Sequence, residues 1–161
     1  MGEIVTPRLF LGVNGVLVAP EPPYDVVRQF DEDRSFAPEV AEQLGATGME
    51  LVLVDLDEHA ARAFADCAPE FSAARVLERG AYKHHLQPGI RWIVDAIVGD
   101  LHDRPAPFMW VSSRINDEER ALLNHEFGGL AHVALPSDPR TGLNPSRLSR
   151  IKDFAVKHTA R

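Results

Sequence analysis

Apolar runs of strand length alternate along this chain with segments whose apolar residues recur at helical spacing. Leu9 to Val18 is apolar on both sides of a short polar interruption and predicts a first strand. The prolines of Ala19-Pro20-Glu21-Pro22-Pro23-Tyr24 then enforce an extended connection. Tyr24 to Phe36 is polar and acidic and predicts an excursion loop. Pro38, at a first helical turn, opens a helix through about Leu44. Glu50-Leu51-Val52-Leu53-Val54-Asp55-Leu56 is continuously apolar at its centre, the mark of a strand buried on both faces. Asp57 caps the next helix, with Ala60, Ala61, Phe64 and Ala65 inward. Ala74 to Leu77 is a weaker third strand. Gly89 to Leu101 carries Ile90, Ile93, Val94 and Ile97 at helical spacing.

Phe108-Met109-Trp110-Val111 predicts a short buried strand after prolines 105 and 107. Asn116 or Asp117 opens a helix through Leu122, Leu123 and about Phe127, stopped by Gly128-Gly129. Ala131 to Leu135 is the fifth strand. Asn144-Pro145 supplies a cap and a first-turn proline for the last helix, with Leu148, Ile151, Phe154 and Ala155 inward. Five strands alternating with helices predict an α/β fold of three layers, α/β/α and Rossmann-like, around a central five-stranded parallel sheet. Ligands of such sheets bind beyond the carboxyl ends of the strands, where the strand order reverses.

Length changes this picture little: 161 residues with no linker or repeat suit one domain over 1–161. Charge narrows the partners. A net charge of -7 argues against general nucleic-acid binding, although the stretch from Arg140 to Arg161 is modestly basic. The single cysteine, Cys67, excludes an internal disulfide and fits a reducing compartment. No apolar stretch approaches the roughly 20 residues that span a bilayer. The N-terminus lacks the basic-then-apolar pattern of a signal peptide. The resulting expectation is a cytoplasmic protein without a membrane association.

Four segments carry a resemblance. They are Gly12-Val13-Asn14-Gly15-Val16-Leu17, Leu51-Val52-Leu53-Val54-Asp55, Arg104-Pro105-Ala106-Pro107-Phe108-Met109-Trp110-Val111-Ser112-Ser113, and Thr141-Gly142-Leu143-Asn144-Pro145. In this order, each at a strand end or helix start, they resemble the haloacid dehalogenase-like superfamily. The likeness is to its small, capless branch of actinobacterial and phage type, and it covers nearly the whole chain. That branch reads Asp-x-Asp-Gly-Val-Leu in the first segment, a strand ending in Thr in the second, Arg-Pro-x-x-Trp-x-Asp-Asp in the third and Gly-Leu-Thr in the last.

The departures from that pattern concern the chemistry. The family's first aspartate attacks phosphorus, and Gly12 stands in its place. The second aspartate is the acid and base, and Asn14 has no proton to trade near neutral pH. Asp55 stands where a Thr or Ser binds the phosphoryl group, and it would repel a phosphate. Ser112 and Ser113 replace the acidic pair that holds magnesium, which prefers anionic oxygens. Lys83 lies in the region of the lysine that neutralises the phosphoryl group, with His84 or His85 as alternatives. Such catalytic groups act as a unit, and loss of one can cost about a million-fold. The resemblance therefore implies a pseudo-phosphatase with no catalytic residue, no metal site and no cofactor. It would act by binding a protein partner or a small polar ligand, its vestigial cleft formed by Gly12, Asn14, Asp55, Lys83, Ser112 and Ser113.

Other readings of the same residues stay open. Asn14-Gly15 also suits a hairpin turn that would pair Leu9–Val13 with Val16–Val18. Asp55 or Asp57 as a displaced nucleophile would make a magnesium-dependent phosphohydrolase with a rearranged site. His84-His85 could join Glu78 and Asp55 on a metal, although no zinc spacing is present. Ser112-Ser113 lacks the elbow of a serine nucleophile. A response-regulator-like domain would want an aspartate at the end of the third strand, and Arg75 to Leu77 has none. The acidic run around Asp25, Asp31, Glu32 and Asp33 would suit a basic protein partner. No pattern fixes the oligomeric state.

Overall fold

Strand β1, Arg8–Leu11, is buried at every position because it forms the centre of a sheet with strands on both sides. The computed structural model describes residues 5–13, 16–19, 35–36, 38–54, 62, 64, 66, 68–77, 91–138 and 142–159. Beyond β1 its strands are β2 (Val18–Ala19), β3 (Ser35–Phe36), β4 (Glu50–Leu53), β5 (Arg75–Val76), β6 (Phe108–Ser112) and β7 (His132–Pro136). Its helices are α1 (Pro38–Gly45), α2 (Trp92–Asp103), α3 (Asp117–Phe127) and α4 (Pro145–His158). Arg62, Phe64 and Asp66 are also helical, and Pro69–Phe71 forms a 3₁₀ turn.

Five strands form one sheet in the order β5-β4-β1-β6-β7. Every pairing in it is parallel, with Leu9 opposite both Leu51 and Met109. The predicted five-stranded parallel sheet is present, with helices on both faces. Strand alternation sorts the core into two. Leu9, Leu11, Leu53, Met109 and Val111 meet Ala41 and Leu44 of α1 and Leu148, Ile151 and Phe154 of α4. Phe10, Val52, Phe108 and Trp110 face the other way, onto Ile93, Ile97 and Leu101 of α2 and Leu123 and Phe127 of α3. Both sheet faces are covered, so the strands read as apolar runs without a polar alternation.

The hairpin alternative at Asn14-Gly15 is excluded for β1, which is flanked by β4 and β6 rather than by Val16–Val18. The predicted first strand is also too long. It ends at Leu11, after which the chain turns, with the Val16 and Leu17 amides donating to the Val13 carbonyl at 3.2 and 3.0 Å. The turn stays apolar because Val13, Val16 and Leu17 are themselves buried. Val18–Ala19 then pairs antiparallel with Ser35–Phe36, closing the base of the predicted excursion, whose residues 20–34 lie outside those described. The strand order also differs from the 2-1-3-4-5 order of flavodoxin-like and response-regulator folds.

Helix α2 begins at Trp92 rather than at Gly89, since Arg91 is extended (ψ 157°). Trp92 is only half buried, whereas Trp110 is fully buried. Gly128 ends α3 in a right-handed conformation (φ -61°), so the stop does not use a left-handed glycine. Asn144 caps α4, its side chain accepting the Arg147 amide at 2.9 Å. Asn144→Ala is expected to cost about 1 kcal/mol, read as a shifted urea midpoint with an unchanged slope.

Candidate functional site

The order β5-β4-β1-β6-β7 reverses direction between β1 and β6, because β1 continues into β4 on one side and the chain returns to β6 on the other. In parallel sheets the connections after the two strands on either side of such a point leave toward opposite faces, which is where ligands bind, in the crevice beyond the carboxyl edge. Leu11 lies opposite Val111, and the Gly12 amide donates to the Val111 carbonyl at 2.9 Å. The register therefore sets Gly12 beside Ser112. Both are buried, Ser112 at 8% exposure, while Ser113 is half buried one residue further out.

Three connections converge on this edge. The Ser112 hydroxyl accepts the Arg114 amide at 3.3 Å, which curls the chain after β6. The Ser112 carbonyl accepts the Ser137 amide at 2.9 Å, tying in the segment after β7. Farther along, the Leu143 amide donates to the Val16 carbonyl at 2.9 Å, which binds that same segment to the turn after β1. Gly142, at φ 72°, makes the sharp return, its amide on the Asp138 carbonyl at 2.7 Å. A side chain with a Cβ would be strained in that left-handed conformation.

The outer wall of this region is held by charge. Glu119, fully buried in the first turn of α3, accepts from Arg91 Nε at 2.9 Å and Arg91 Nη2 at 3.0 Å. It also accepts the Asn116 amide at 3.1 Å, while the Asn116 side chain accepts the Glu119 amide at 2.8 Å, a reciprocal capping box. Arg91 further donates to the Arg114 carbonyl and lies 5.7 Å above the Trp110 ring. The start of α2 is thereby fastened to the loop that leaves Ser112.

Of the residues expected to form a cleft, Gly12, Ser112 and Ser113 are brought to one place, whereas Asn14, Asp55 and Lys83 lie outside the described residues. The same holds for His84, His85, Asp57, Cys67, Asp25, Asp31, Glu32 and Asp33. Ser137 belongs to the site and was missed by the sequence reading. It is 5% exposed and sits one residue past β7, but Pro136-Ser137-Asp138 reads only as a loop. Among the described residues no group of three or more His, Cys, Asp or Glu side chains is placed to hold a metal. What the arrangement offers chemically is two consecutive serines, a neighbouring position without a side chain, and backbone polar groups at strand ends. No helix among the described residues is long and apolar enough to cross a membrane.

The chain matches no family model, no curated protein and no solved structure.

The strongest electrostatics lie at the opposite, amino edge of the sheet and were not foreseen. Arg8 begins β1, Glu50 begins β4, Arg75 begins β5, and Asp100 and Arg104 lie at the end of α2. Asp100 accepts from Arg75 Nη1 at 2.7 Å, Arg75 Nη2 at 2.9 Å and Arg8 Nη1 at 3.1 Å. Glu50 accepts from both nitrogens of the Arg75 fork at 3.3 Å and from Arg104 at 3.0 Å. Burial alone would raise the Asp100 and Glu50 carboxyls. The arginine hydrogen bonds and charges outweigh it and hold both below their ordinary values. Burial lowers Arg8, while Asp100 raises Arg75. This cluster braces three strands against one helix and lies at the far edge from the crevice.

Proposed function

We propose that this protein is a binding domain rather than a phosphoryl-transfer enzyme, and that it holds a small polar ligand at the crevice between the ends of β1 and β6. The reading takes the chain as a degenerate relative of the haloacid dehalogenase-like superfamily. The observation that carries it is the adjacency of Gly12 and Ser112 at the switch point. Were the resemblance right, these would be the positions of a nucleophile and a metal ligand, yet one has no side chain and the other a neutral hydroxyl. A neutral hydroxyl binds polar groups, but it is a weak nucleophile unless a base or metal activates it, and it holds magnesium poorly.

The test uses a generic phosphate monoester with magnesium. We expect no turnover above background, and no difference between the native protein and Ser112→Ala. Magnesium-dependent hydrolysis abolished by Asp55→Asn would sink the binding reading and install a rearranged phosphohydrolase in its place. Trapping with beryllofluoride would separate the two independently, since only an aspartyl nucleophile forms that adduct.

A further inference from the structure

Strand β7 is an edge of the sheet, and its outer side forms the floor of a groove of about 340 Å³. Arg120, Leu123 and Asn124 of α3 form one wall, and Arg150 of α4 stands on the other. The groove lies beyond β6 from the crevice, so it does not depend on the binding reading above. Both charged side chains that line it are arginines, in a chain whose net charge is -7.

The backbone of the floor has an unusual balance. The Phe108 amide donates to the Ala131 carbonyl and the Ser137 amide to the Ser112 carbonyl. This phase turns the backbone groups of Ala131, Val133, Leu135 and Ser137 toward β6 and those of His132, Ala134 and Pro136 outward. Two of the three outward carbonyls are used internally: Arg120 Nη1 donates to the Ala134 carbonyl at 2.9 Å, and Arg147 Nε donates to the Pro136 carbonyl. Pro136 has no amide hydrogen to offer. What remains on this edge is the amides of His132 and Ala134 and the His132 carbonyl, with two guanidinium groups beside them. Donors and positive charge outnumber the one outward carbonyl left, that of His132.

A pairing β-strand needs a continuous ladder of donors and acceptors, and here the Ala134 and Pro136 carbonyls are occupied and Pro136 has no amide, so this edge is poorly suited to strand addition. An oxygen-rich anion needs only donors and positive charge. We propose that the β7 groove is a binding site for a small organic anion bearing a carboxylate or phosphate group. Its oxygens would take the His132 and Ala134 amides and the Arg120 and Arg150 guanidiniums. The His132 ring gives the site a fixed wall, lying 2.9 Å from the Leu130 carbonyl and 2.8 Å from the Asn124 side chain and stacked on Phe108. The volume suits a molecule of metabolite size.

The experiment is a titration of the full-length, ¹⁵N-labelled chain with inorganic phosphate and, separately, with citrate, at an ionic strength held constant with chloride. Saturable shifts at the His132 and Ala134 amides are expected with at least one probe, and the stronger of the two identifies the headgroup. Arg150 is exposed, so Arg150→Gln should fold normally and weaken binding by about two- to fivefold. Arg120→Gln should weaken it more, since that guanidinium is half buried. No shift, shifts that do not saturate, or saturation unchanged by Arg150→Gln would each overturn the proposal. So would movement of the same amides with protein concentration alone, which would mark the edge as a contact between two copies of the chain.

Discussion

Asp100→Ala is expected to destabilise the protein by about 3–5 kcal/mol, the usual cost of removing one partner from a buried ion pair. Asp100 is 2% exposed and Arg8 is 3% exposed, so neither is solvated. Without Asp100, Arg8 keeps only Glu50 among the described residues, at 3.5 Å, and its Nε already lacks a hydrogen bond. The uncompensated guanidinium then accounts for most of the loss. Glu50→Ala should cost less, about 1 kcal/mol, because Arg75 and Arg104 are exposed enough to return to water. The pair Arg8→Met with Asp100→Leu should recover most of the loss, since apolar side chains of similar size remove both desolvation costs together. Urea unfolding measures all three. A loss below about 1 kcal/mol for Asp100→Ala would mean that water reaches Arg8 and that the cluster is not a closed unit.

The same cluster fixes an acid limit. Asp100 and Glu50 have folded-state values below their unfolded ones, so the unfolded chain binds their protons first. Their stabilisation is complete above the unfolded-state values, near 4, and is lost as pH falls through the depressed folded-state values. Stability should thus be insensitive to these two groups from about pH 5 upward and decline below about pH 4. Asp100→Asn should lower stability at neutral pH and flatten that acid decline, because one of the two linked protons no longer differs between the states.

The contrast between this cluster and the crevice shows what the sequence could reveal. Strands β1, β4 and β6 were legible because burial on both faces leaves continuous apolar runs. Gly12 and Ser112 were put together by the resemblance alone, and the structure sets them side by side because strand ends collect in one place in a parallel sheet. The end of β1 was not legible, since Val13, Val16 and Leu17 are as buried as the strand itself. The pairing of Val18–Ala19 with Ser35–Phe36 is two residues long, too short for any period to register. Arg8 and Asp100 are 92 positions apart and meet only through the strand order, which hydrophobic patterning does not determine. Ser137 was hidden for the related reason that its partner, the Ser112 carbonyl, belongs to another strand.

The other large effect is expected at Glu119, where stability and the crevice meet. Glu119→Ala removes the acceptor for Arg91 and half of the capping box of α3 in one step. A hydrogen bond to a charged group contributes about 1.5–3 kcal/mol, and a cap about 1 kcal/mol. Arg91 is 35% exposed and can rehydrate, which reduces the first of these. The expected loss is about 2–3 kcal/mol, and Glu119→Gln should cost roughly half as much because it retains an oxygen for the Asn116 amide. The distinguishing readout is local. Arg91 ties the start of α2 to the Arg114 carbonyl, just beyond Ser112 and Ser113. Hydrogen exchange at Ser113, Arg114 and Ile115 should accelerate in Glu119→Ala by more than the global loss of stability explains, while Phe10 and Leu11 follow the global change alone. Equal acceleration at both places would leave Glu119 a general stabiliser of the fold. A selective effect would make it the residue that positions the serine edge of the crevice.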